Sequence, residues 1–76
     1  MANKYIQIGG IYMYTNNIKL YREKLYLTIS QLSEISGVSC GYICHLEKGS
    51  RKNPSIPIME KIAKALNHTV AEVFFN

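Results

Sequence analysis

The feature that most constrains this chain is a set of helix starts and stops between residues 28 and 49. Thr28 and Gln31 have the spacing of a capping box, in which the hydroxyl accepts one free helix N–H and the glutamine side chain reaches back to another. Gly37 follows, a residue that takes the left-handed position at a helix end without strain. Ser39 is a second N-cap, and Gly49 a second stop. The pattern predicts two short helices, at about residues 29–36 and 40–48, joined by about three residues. Helices this short do not hold in water by propensity, so each must bury a face. Leu32 and Ile35 supply the apolar side of the first, Ile43 and Leu46 that of the second, with Val38 in the turn. Ser33 is small where two such helices would cross. Two short helices with glycine in the turn make a helix-turn-helix.

The flanking chain reads the same way. Thr15 or Asn16 can cap a first helix, about 16–26, with Ile18, Tyr21 and Leu25 on one side. Ser55 caps a fourth, with Pro57 tolerated in its first turn and Ile58, Met59, Ile62 and Leu66 as its stripe. Asn67 suits a helix end, and Thr69 with Glu72 forms another capping box that opens a short fifth helix through Val73 and Phe74. Before all of these, two β-prone runs flank Gly9-Gly10. With that pair as a two-residue turn, Tyr5 opposes Tyr14, Ile6 Met13, Gln7 Tyr12 and Ile8 Ile11. Residues 1–14 therefore read as a β-hairpin arm, or else an irregular leader, on a domain at 15–76. The expected fold class is all-α, five helices.

A chain of 76 residues forms one domain, and 47% apolar residues suffice for one core. No apolar run approaches the roughly 20 residues of a membrane helix. Gln7 and the glycine pair interrupt any signal-peptide core, so the expectation is a cytoplasmic protein without a membrane partner. Net charge is +4, which suits a polyanionic partner without proving one. Cys40 and Cys44 are too close in sequence for a useful staple. There is no phosphate-binding glycine loop, no HExxH and no plausible triad. The acidic residues are Glu23, Glu34, Glu47, Glu60 and Glu72 alone, so no enzyme is expected.

The third helix turns Cys40, Gly41, Cys44, His45 and Lys48 away from its apolar side. A basic loop, Ser50-Arg-Lys-Asn-Pro, follows it. Across Ile18-Lys-Leu-Tyr-Arg-Glu-Lys, Leu27-Thr, Leu32-Ser-Glu-Ile-Ser-Gly-Val-Ser, Tyr42-Ile-Cys-His-Leu-Glu-Lys-Gly, Asn53-Pro-Ser and Ile62-Ala-Lys-Ala-Leu, the chain resembles the Cro-like phage repressors, the xenobiotic-response-element type of DNA-binding domain. The likeness implies a λ-repressor-like fold and binding to double-stranded DNA. It implies that Arg22 pairs with Glu47, that Cys40, Gly41 and His45 meet base edges, and that Thr28, Gln31, Ser39, Tyr42, Lys48, Arg51 and Lys52 meet phosphates. Chemistry agrees on the last group: helix N-termini present free N–H groups to anions, and Lys and Arg release counterions.

The chain departs from the family at two places. Ile29 stands where a phosphate-reaching Gln is usual, and Tyr26 stands where a Gly precedes the Leu-Thr pair. The base-facing positions hold no Arg, Asn or Gln; His45 can donate or accept, Cys40 offers a weak or apolar contact and Gly41 only close approach, so specificity leans on DNA shape. Cys40, Cys44 and His45 are too few for a closed zinc site, and no metal or cofactor is expected, although an exposed thiol in a first helical turn is open to oxidation. His68 reads as solvated and the tyrosines as packing residues. The expected activity is transcriptional regulation, as a repressor and homodimer on a palindromic operator, through Val73, Phe74 and Phe75 or through the hairpin. The alternative is a protein-interaction module such as an antitoxin or adaptor.

Overall fold

The computed structural model describes residues 5–8 and 11–14 as strands, and residues 16–50 and 54–75. Strands β1 (Tyr5–Ile8) and β2 (Ile11–Tyr14) pair antiparallel, Tyr5 opposite Tyr14 and Ile8 opposite Ile11, the register that a two-residue connection imposes. Gly9 and Gly10 lie outside the described residues, as do Thr15, Arg51, Lys52 and Asn53. Among the described residues five helices follow: α1 (Ile18–Lys24), α2 (Ile29–Ser36), α3 (Cys40–Lys48), α4 (Ile56–Ala65) and α5 (Val70–Phe74).

The caps anticipated from the sequence form. Thr28 and Gln31 close their box through bonds of 2.8 and 3.1 Å, and Thr69 and Glu72 close theirs through bonds of 2.9 and 3.1 Å. Ser39 Oγ accepts the Tyr42 N–H and Ser55 Oγ the Ile58 N–H. Such caps are worth about 1 kcal/mol each. The start of α1 differs from expectation. Asn17 is the flanking residue and provides no side-chain cap; Asn16 Oδ1 instead accepts the Ile18 N–H at 3.1 Å. Both asparagines have other work. Asn16 Nδ2 donates to Leu46 O at 2.8 Å, and Asn17 donates its backbone N–H to Val73 O and its Nδ2 to Glu72 O. They tie the start of α1 to the last turn of α3 and to α5.

Helix α1 also ends at Lys24, short of the expected 26. The Tyr26 N–H bonds Glu23 O and the Leu27 N–H bonds Arg22 O, which is the paired bonding of a Schellman end. That end needs a left-handed residue, and Tyr26 supplies it at φ 56°. This is the position where the family uses glycine. Asn67 does the same after α4, at φ 60°. Because α1 stops early, Leu25 falls off its apolar stripe and is largely exposed.

Ile18, Leu32, Val38, Ile43, Leu46, Ile62, Leu66, Val73 and Phe74 form the core, with Met59 and Ala63. Further departures from expectation appear here. Ile35 is 59% exposed, because α2 buries the Leu32 and Ser36 side, leaving Ile35 beyond its edge. The small residue buried on α2 is accordingly Ser36, whose Oγ accepts the Val38 N–H, while Ser33 is half-buried. Val73 and Phe74 are fully inside, so neither is available to a second subunit; Phe75 keeps 40% exposure.

Candidate nucleic-acid interface

The site begins with how α3 is held. Its aliphatic side, Ile43 and Leu46, has no exposure, and this sets its rotation about its own axis. Its position along α1 is set by Arg22. Nε donates to Glu47 Oε2 at 2.7 Å and Nη2 to Glu47 Oε1 at 3.0 Å, a two-pronged bridge with side chains 11% and 7% exposed. Nη1 donates to Leu27 O at 2.8 Å. One guanidinium thus joins α1, the corner leading to α2, and the end of α3. The Glu47 hydrogen bonds raise the Arg22 pKa, outweighing the opposite effect of burial, so Arg22 is always charged. The pair stands 25 residues apart, where only the family likeness, and no local rule, suggested it.

With that side fixed, the opposite side of α3 faces solvent. Cys40, Gly41, His45 and Lys48 are exposed, and Tyr42 and Cys44 are half-buried. Tyr42 packs partly against the core. A Cβ on Gly41 would meet nothing within 4 Å, so this first turn presents bare backbone to whatever approaches. The Cys40 thiol lies 3.9 Å from Ser30 Oγ, linking the starts of α2 and α3. Thr28, Gln31 and Ser39 are exposed beside those two helix starts. Of the side chains assigned to phosphates, Thr28, Gln31, Ser39 and Tyr42 therefore lie at the starts of α2 and α3, while Lys48 lies at the far end of α3. Arg51 and Lys52 lie outside the described residues. Among the described residues no three His, Cys, Asp or Glu side chains come together as a metal site, and both cysteines are free thiols. No described helix is long and apolar enough to cross a membrane.

Three contacts were not foreseen from the sequence. Ser50 contacts His45, Asn16 holds the end of α3, and Ser30 meets Cys40. A serine just after a helix-ending glycine was the signal for the first. The other two contacts join residues brought close only by folding. His68, expected to be solvated, is stacked on Tyr21 with ring centroids 3.8 Å apart and lies 3.5 Å from Glu72.

A short, inwardly aliphatic helix set across a second by a three-residue turn, with an exposed polar outer face, defines the class of DNA-binding helix-turn-helix domains. The model of the helix-turn-helix family matches residues 18–73, and the chain belongs to that family, in its Cro/C1-type branch. It is similar to the HTH-type transcriptional regulator SlrR of Bacillus subtilis (strain 168), 37% identical over 57 residues, 75% of this chain and 38% of that protein. It is also similar to SinR of the same organism, 34% identical over 58 residues, 76% of this chain and 52% of SinR. The chain thus spans about half or less of the length of these relatives. A crystal structure of SinR in complex with DNA superposes with a TM-score of 0.69 at 35% identity, covering 71% of this chain and 86% of that one. The restriction-modification controller C.AhdI of Aeromonas hydrophila superposes with the same score at 28% identity, covering 74% and 83%.

Proposed function

We propose that this chain binds double-stranded DNA sequence-specifically, with α3 in the major groove, and regulates transcription as a homodimeric repressor that occupies a palindromic operator. The observation that carries the reading is the outward face of α3, solvent-exposed along Cys40, Gly41, His45 and Lys48 and anchored from behind by the Arg22–Glu47 bridge. Base edges fall to Cys40, Gly41 and His45. Phosphates fall to the first turns of α2 and α3 through Thr28, Gln31, Ser39 and Tyr42, and to Lys48, Arg51 and Lys52. The solved SinR complex with DNA supports this use of the same fold. A dimer would set two copies of α3 about 34–36 Å apart, one turn of the duplex. In this reading residues 1–14 are an arm, residues 15–76 the DNA-binding domain, and the protein works in the cytoplasm.

Binding-site selection from random duplex DNA tests it. The expected result is an enriched inverted repeat, bound less tightly by Cys40→Ala and His45→Ala and not at all by Arg51→Ala with Lys52→Ala. The affinity should fall linearly with salt on logarithmic axes, as phosphate contacts require. Enrichment no better than a non-specific background would reject the proposal. It would favour the second reading, a protein-binding module, for which the solved complex of SinR with SinI is the supporting observation.

A further inference from the structure

The geometry points to Ser50 as the residue that decides which ring nitrogen His45 offers to a base. The inference rests on the proposed placement of α3 in the major groove, and refines it to a chemical preference at one base pair.

Helix α3 ends in a Schellman motif. The Gly49 N–H bonds Leu46 O at 3.2 Å and the Ser50 N–H bonds His45 O at 3.1 Å, with Gly49 left-handed at φ 77°. This bonding folds the residue after the glycine back onto the residue five positions before it, where an apolar contact is the common partner. Here the contact is polar. Ser50 Oγ lies 3.0 Å from His45 Nδ1 and donates to His45 O at 3.3 Å. A hydroxyl has one proton. If that proton goes to His45 O, the contact with Nδ1 is a hydrogen bond only when Nδ1 carries the ring proton and donates to Oγ. Both bonds coexist in the neutral ring in that tautomer alone. Nε2 is then a bare acceptor, on an exposed side chain of the outward face of α3.

In the major groove an acceptor is matched by the N6 amine of adenine or the N4 amine of cytosine, whereas guanine and thymine show acceptors. His45 held this way therefore selects a base with an exocyclic amine. Ser50 is a positioning residue, acting through the imidazole.

Two measurements on the intact chain test this. The first is the ring 15N spectrum of the free protein at mildly alkaline pH, where histidine side chains in general are neutral. Nδ1 should be protonated in wild type, and the Ser50→Ala ring should lose that preference. The second is duplex selection with wild type, Ser50→Ala, Ser50→Thr and His45→Ala. Wild type should prefer an amine-bearing base at the one position that His45→Ala makes indifferent. Ser50→Ala should lose about threefold to tenfold of that discrimination, the worth of one neutral hydrogen bond, while every other position keeps its wild-type preference. Ser50→Thr should restore it. A protonated Nε2 in the free protein, guanine or thymine at the His45 position, or full discrimination in Ser50→Ala would each overturn the inference. Protonated Nδ1 with no DNA sequence enriched would instead sink the DNA reading and the base preference together, which separates the two failures.

Discussion

At the scale of the residue, Arg22 shows how much one side chain can organise. Removing it leaves the Glu47 carboxylate, 7% exposed, without its partner and the Leu27 carbonyl without its donor. Stranding one member of such a pair is the costly change, while replacing both by apolar groups costs far less. Arg22→Ala should therefore lose about 3 kcal/mol, a fall of more than about 10 °C in melting midpoint for a domain of this size. Arg22→Met with Glu47→Leu should recover most of it, and a double-mutant cycle on urea midpoints measures the coupling. Glu72 carries the clearest pH dependence. Its carboxylate accepts the Thr69 N–H, and this bond, followed by the Thr69 side chain and then by His68, holds its pKa below the ordinary range. A depressed folded pKa means stability that is complete above the ordinary carboxylate range and is lost as pH falls through the lowered value. The gap in urea midpoint between wild type and Glu72→Gln should thus be widest near neutrality and close in acid. A gap that widened in acid would contradict the capping box.

At the scale of the element, four helices end on a left-handed residue, and two of these ends use no glycine. Tyr26 is 93% exposed, so its side chain gives no packing in return for its φ of 56°. Tyr26→Gly removes roughly 1 kcal/mol of backbone strain and returns somewhat less to the unfolded chain. The expected outcome is a small gain, about 0.5 kcal/mol, read as a higher urea midpoint; a loss would mean that the ring packs in solution. In α3 the favourable exchange is the reverse one, from glycine. Gly41 has helical backbone and open space around it, so Gly41→Ala should stabilise the domain by about 0.5–1 kcal/mol. In the proposed complex the same methyl would stand where a base edge approaches. Tighter folding with weaker specific DNA binding, measured on one preparation, is the result expected of a base-facing glycine.

At the scale of the whole molecule, the chain closes on itself. The backbone N–H of Asn17 bonds Val73 O at 2.7 Å, and α5 delivers Phe74 into the core at 1% exposure. A domain this small has about 3–5 kcal/mol of core stability, and Phe→Ala in a packed core costs about as much. Phe74→Ala should leave the chain largely unfolded at physiological temperature, seen as loss of helical circular dichroism. The same burial removes Val73 and Phe74 from any subunit contact.

Much of this was legible locally. A capping box, a serine N-cap and a left-handed stop each depend on residues within six positions of one another, so Thr28, Gly37, Ser39, Gly49, Ser55 and Thr69 marked the helices before any packing was known. The early stop of α1 lay within the same reach, but Tyr26 is not a residue that announces a left-handed turn. Periodicity identified apolar faces, yet it could not say how far a neighbouring helix covers each one. That is why Ile35 proved exposed, and Val73 and Phe74 proved to be core, while Leu25 proved exposed because α1 stops before it. The site divides on the same line. The outward residues of α3 followed from its inward ones, since a helix buries one side only. The bridge from Arg22 to Glu47, the stacking of His68 on Tyr21 and the hold of Asn16 on Leu46 were decided by the tertiary structure, because these partners lie too far apart in sequence for any local rule to bring them together.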